Sequence, residues 1–329
     1  MAGSAVGARR VTSTSGGADR VFRGVLLGAG VLVLAIMLTI GWFLFQRGWP
    51  ALREAGWSFL TEQSWEPDAH RFGIAAVLTG TVLIAVVAVL IAVPLAAGVA
   101  LYISEYAPVR LRGALTNLVD LMAAVPSVVY GLWGFVLLQE ELIPLARWMA
   151  ANLGGIPVFA VDGAEPDNPL EDITVYKSST FAAGVVVALM IMPIICSVMR
   201  ESFVQSPAGE REGAYALGAT RWGMIRTVVL PFGRGGMIGG TMLGLGRAMG
   251  ETIAVFMIIS PIFLVQPHIL QSGTSSVSAL IALRWGAASP FELAALMAAG
   301  LALFLLTLVI NFAASAVIAR TRSGQGSEG

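Results

Sequence analysis

Arg247 and Glu251 are the residues of this chain whose type and placement most demand a chemical reason. They stand four apart in a glycine-rich apolar stretch that begins at Gly235 and reads GGMIGGTMLGLGRAMGETIAVFMIIS. On a continuous helix Arg247 lies ~18 Å from Gly235, well inside a hydrocarbon layer of ~30 Å. A charge at that depth costs at least ~2.5 kcal/mol and is a functional candidate by default. At about 100° per residue, Gly236, Gly240, Gly244, Arg247 and Glu251 share a sector of ~80°. The small-residue spacing of Gly236, Gly240 and Gly244, and of Gly246 and Gly250, lets another helix approach closely. Both charges are therefore expected on a packed face. The structural alternative is an ion pair that only fixes packing, although Arg before Glu is the weaker order at this spacing.

Other chemistry is sparse. Cys196 is the single cysteine and lies in an apolar run, so neither an intrachain disulfide nor a cysteine metal cluster can form. His70 and His268 are far apart in sequence, and no nucleophile–base pair with an orienting partner stands out. No catalytic residue, metal site or cofactor is expected on this chain. A phosphate-cradling P-loop needs Gly-Lys-Ser/Thr. The only lysine, Lys177, follows Tyr176, so any ATP and its magnesium must belong to another chain.

The elements that hold Arg247 and Glu251 follow from composition. Of 329 residues, 57% are hydrophobic and 12% charged, with mean hydropathy +0.80 and zero formal net charge. Water-facing surface needs charge, so most of this surface faces lipid or protein. Zero net charge gives no bulk field to attract nucleic acid. Six segments are long and apolar enough to span, at roughly 24–45, 74–103, 114–138, 181–199, 235–259 and 293–318. Residues 1–22 read as a disordered cytoplasmic tail, 23–72 as the first span and its outside loop, 73–319 as the core, and 320–329 as a second tail. Within the loop 139–180, the stretch 143–153 is too short to span and is expected to be interfacial or re-entrant. Asp120 sits near a span end and reads as interfacial or structural. Thirteen basic residues fall on one side of this topology and six on the other. The richer side is cytoplasmic, which places both termini inside.

The largest cytoplasmic segment, 200–234, reads as a short helix after Ser206-Pro207, a turn at Gly218, and a second surface helix closed by Pro231. On composition alone it is a solvated amphipathic connector. Its residues, however, resemble the signature of ABC importer permeases, Glu-Ala-Ala, three residues, Gly, nine residues, Ile, one residue, Leu-Pro. Here the signature stands as Glu212-Gly213-Ala214, Gly218, Val228 and Leu230-Pro231, every spacing intact, with Gly213 and Val228 as small departures. The resemblance implies a coupling helix that docks on an ATP-binding subunit.

A second resemblance covers the chain from about residue 23. Residues 244–254 (GLGRAMGETIA) and 123–134 (AAVPSVVYGLWG) resemble the phosphate-specific permease of PstC type. It implies an all-α, six-span permease of the type I ABC importer class, a MetI-like core with an extra N-terminal helix, in a bacterial plasma membrane. It implies a PstA-type permease partner, two PstB-type ATPases and a PstS-type extracytoplasmic binding protein. It further implies that Arg247 and Glu251 lie on the substrate pathway. A guanidinium presents planar, charge-assisted donors to phosphate oxygens, and a carboxylate one turn away would compete for it and keep the site weak. A permease for sulfate or molybdate, or a secondary transporter without an ATPase, remain the alternatives.

Overall fold

The computed structural model describes residues 17–163 and 172–323. In chain order its principal helices are α1 (Gly17–Ala55), α2 (Ala75–Leu101), α3 (Val109–Ala124), α4 (Ser127–Trp133) and α5 (Ile143–Leu153). Then come α6 (Thr180–Val204), α7 (Ala208–Ala216), α8 (Arg221–Gly250), α9 (Ile253–Ile258), α10 (Val277–Arg284) and α11 (Pro290–Ser323). Five helices are long and apolar enough to cross a membrane, and α3 with the segment Ser127–Glu141 supplies a sixth, bent span. The chain is an all-α membrane protein. Its one sheet among the described residues is a two-stranded hairpin, Trp65–Glu66 against Arg71–Phe72, in the loop after α1.

Small residues bring the central helices together. Ala88, Ala92, Ala96 and Ala100 recur every four residues along one face of α2, and all four are completely buried. They join Ala183, Val187, Ile191 and Ile195 of α6 in one core cluster. At Gly184 of α6 an added Cβ would strike the Val87 side chain, so the two axes can be this close only without one. The extra helix α1 runs along α11 at the edge, where a Cβ on Gly48 would come 2.9 Å from the Ala298 Cα.

The structure departs from the sequence reading where helices start, bend and stop. Helix α1 begins at Gly17, so residues 17–22 are helical rather than tail; residues 1–16 lie outside the described ones. Helix α11 likewise runs to Ser323, through the start of the second expected tail, and residues 324–329 lie outside the described ones. The third span bends by 86° between α3 and α4. Pro126 excludes the helical conformation from the residue before it, and Val125 is extended at ψ 129°. The second half of the segment 200–234 is no separate surface helix closed by Pro231. It is the start of α8, which passes through Pro231 after a π turn at Ile225–Val229. The wider π ladder accommodates the proline ring and its missing N–H. The fifth span then breaks after Gly250, because Glu251 is extended at ψ 125°.

Candidate functional site

The segment 200–234 is built from local backbone chemistry. Helix α7 ends in a Schellman turn: Gly218 N–H donates to the Tyr215 carbonyl at 2.9 Å, and Ala219 N–H to the Ala214 carbonyl at 3.0 Å. That turn needs a left-handed residue, and Gly218 has φ +83°. The Thr220 hydroxyl then caps α8 by accepting from Gly223 N–H at 3.1 Å. Ser206 does not cap α7 as its type suggests. Its hydroxyl is buried and accepts from Arg211 Nε at 2.5 Å. Glu212, Tyr215, Leu217 and Trp222 all stand exposed, and Leu217 is 92% exposed. Ala214, Leu230 and Pro231 are half-buried at the base of the loop.

The glycines of α8 divide into two groups. Gly236, Gly240 and Gly244 face α6, where added Cβ atoms would meet Ser202, Val198 and Ile195 respectively; for Gly244 the approach to Ile195 Cδ1 would be 2.5 Å. Gly246 and Gly250 have no heavy atom within 4 Å of a Cβ position, so neither takes part in this packing.

The two broken spans meet. A Cβ on Gly131 of α4 would lie 2.8 Å from Ala254 Cα of α9, and one on Gly134 would lie 3.1 Å from Ile258 Cδ1. The segments 123–134 and 244–254 thus pack directly on one another beyond their breaks. The Tyr130 hydroxyl donates to the Met122 carbonyl at 3.0 Å, tying α4 back across the bend.

Arg247 and Glu251 do not share the glycine-lined face. Arg247 is exposed, and among the described residues it forms no hydrogen bond or ion pair, with Glu251 or any other group. It lines a groove of about 450 Å³ with Gly239, Met242, Leu243, Gly246, Asn311 and Ser315. Glu251 is buried. Its carboxylate accepts from Ala254 N–H at 3.2 Å, and its carbonyl accepts from the Ser278 hydroxyl at 2.7 Å. The helical wheel fails here because the helix ends one residue before Glu251. Asn311 and Ser315 went unnoticed in the sequence; two polar residues four apart in the last apolar span were the available signal.

Asp120 is exposed on α3. Cys196 is completely buried on α6. Helix α5 keeps the bounds expected for the short stretch 143–153, and it buries Ile143, Ala146 and Ala150 against Phe181 and Leu270 in one cluster. In the outer loop after α1, Glu62 accepts hydrogen bonds from the Ser64 and Gln63 backbone, which hold its carboxyl below the usual range. His70 pairs with Glu54 in the same region.

Bent and broken spans around a small-residue core belong here to a membrane component of the binding-protein-dependent transport class. Residues 92–323 match the family described as binding-protein-dependent transport system inner membrane component. The chain is 36% identical over 306 residues to the phosphate transport system permease protein PstC 2 of Mycobacterium bovis, covering 91% of each chain. It is 35% identical over 324 residues to PstC of Xylella fastidiosa, covering 96% of this chain and 97% of that one. The protein belongs to the PstC family of phosphate transport permeases. The fold is similar to a bacterial alginate ABC transporter structure (TM-score 0.56, 18% identity, 90% of this chain and 94% of that one). It is also similar to the inward-facing MetNI methionine ABC transporter (TM-score 0.53, 14% identity, 75% and 95%).

Proposed function

We propose that this chain is a membrane-spanning subunit of an ATP-driven phosphate importer, and that Arg247 handles the anion on its way through. The observation that carries this reading is an arginine within a membrane span that, among the described residues, no carboxylate neutralises and that opens onto a groove holding Asn311 and Ser315. Phosphate near neutral pH carries between one and two negative charges, and a bare anion cannot cross a low-dielectric layer. A guanidinium supplies planar, charge-assisted donors, and the Asn311 amide adds a neutral one. The Ser315 hydroxyl donates to the Asn311 carbonyl at 2.9 Å, so it lines the groove with its proton already engaged. Glu251 supports the site differently from a competing ion-pair partner: it caps the half-helix beyond the break and so fixes where Arg247 ends.

Helix α7 and the turn after it dock on a separate ATPase. The exposure of Leu217, Tyr215 and Trp222, on a segment carrying the permease signature, supports a protein-binding face. ATP hydrolysis belongs to that partner, and this chain converts its closure into alternating access. The full assembly contains a second permease of PstA type, two ATPases of PstB type and an extracytoplasmic binding protein of PstS type, with both termini of this chain inside. Uptake of labelled phosphate into vesicles carrying the assembly, with sulfate and molybdate as competitors, tests the substrate. Inhibition by either competitor at equal concentration would assign the chain to another oxyanion.

A further inference from the structure

Helix α7 buries none of its residues, yet it must transmit force if it docks on an ATPase. Besides the half-buried Ala214, its anchor to the spans is the Arg211 guanidinium. Arg211 lies on α7, one residue before Glu212. Its Nη1 donates to Glu105 Oε2 at 3.0 Å, and its Nη2 lies 3.0 Å from Glu105 Oε1. Nη2 also donates to the Phe203 carbonyl at 2.7 Å, and Nε to the Ser206 hydroxyl at 2.5 Å. Glu105 belongs to the π turn Tyr102–Tyr106 that continues α2, and Phe203 to the last turn of α6. One side chain therefore ties the coupling helix to the cytoplasmic ends of both central spans.

The pair is shielded from water: the Glu105 side chain is 4% exposed and that of Arg211 22%. A carboxylate that deep is held by its partner, because unpaired it would be left charged in a poor solvent. One hydrogen bond to Oε2, a second guanidinium nitrogen close to Oε1, and further bonds at Nε and Nη2 together fix direction, which a lysine's single ammonium cannot reproduce. Exposed surface pairs slip and exchange with water, whereas this one is a rigid joint.

We infer that the Arg211–Glu105 pair is the positioning link through which movement of the coupling helix reaches the membrane spans. This rests on the reading above that α7 docks on an ATPase. The link is a joint between α7, α2 and α6, and it contacts neither substrate nor nucleotide.

The test is made on the full complex, purified with its ATPase, comparing wild type with Glu105→Gln and Arg211→Lys. In reconstituted vesicles the quantity read is ATP hydrolysed per phosphate moved, in complexes of equal subunit content. Glu105→Gln keeps shape and loses charge; Arg211→Lys keeps charge and loses the fork. The expected result is a ratio raised roughly fivefold or more, the lower end of ordinary allosteric coupling, in at least one assembled variant. A contact that merely holds the fold would lower the yield of complex and leave the ratio alone. An unchanged ratio in the assembled variants, or failure of both to assemble, overturns the inference. Wild-type permease that retains no ATPase overturns the docking reading and this inference together.

Discussion

Replacing Gly218 probes the coupling loop through a single dihedral angle. Its φ of +83° closes the Schellman turn that ends α7. A Cβ there meets nothing within 4 Å, so a side chain has room and the cost is purely conformational. An L-residue in left-handed backbone costs about 1–2 kcal/mol, a factor of roughly 5–30 in the population of the native turn. Asn tolerates this region, Ala bears the ordinary cost, and β-branched Val bears more. The series Gly218→Asn, Gly218→Ala and Gly218→Val should therefore show a graded loss of ATPase retained on the purified permease, with phosphate uptake falling in step. The assay is subunit stoichiometry after affinity purification, at equal membrane abundance of each variant. Wild-type retention by Gly218→Val would refute the requirement for this turn. Equal loss in all three would show that side-chain bulk at the docking face matters, rather than backbone conformation.

Further predictions concern packing, the pathway and topology. Gly236→Ala and Gly244→Ala place a methyl into α6 and should destabilise the purified chain by about 1–3 kcal/mol, while Gly246→Ala and Gly250→Ala should leave its thermal unfolding unchanged or slightly improved. Asn311→Ala should reduce phosphate uptake without changing membrane abundance; uptake at the wild-type rate would remove the amide from the pathway. The uncharged pair Arg247→Gln with Glu251→Gln should remain inactive, and its recovery of uptake would assign both residues to packing alone. In a Cys196→Ser background, single cysteines placed within 47–72 and 139–163 should react with an impermeant thiol reagent from outside, and labelling only from the cytoplasm would invert the topology.

Six spans were legible because a run of about 20 apolar residues has few other fates. The turn at Gly218 was legible because a glycine ends a short helical run there, and the residue has φ +83°. Helix interruptions were harder to read. Hydropathy runs evenly through Val125-Pro126, so the 86° bend hides in a continuous apolar segment, although the residue before a proline is the place to expect it. At Glu251 the helical wheel assumed a helix that the chain abandons, and with it went the shared face of Arg247 and Glu251. Pro231 misled in the opposite direction, since the π turn before it lets α8 continue. The Glu105–Arg211 pair joins residues 106 apart in sequence, so no local spacing could reveal it.

Arg247 is the proposed anion-handling group, and phosphate uptake by Arg247→Lys tests that role most directly. The substitution keeps the positive charge at the same depth and removes the planar donor fork. With the complete assembly in vesicles, loaded with ATP and supplied with the binding protein, wild type should accumulate labelled phosphate in the presence of excess sulfate. Arg247→Lys, at equal abundance and with equal ATPase bound, should lose most of that uptake. Accumulation by Arg247→Lys at the wild-type rate would contradict that role and place the anion's path elsewhere in the subunit.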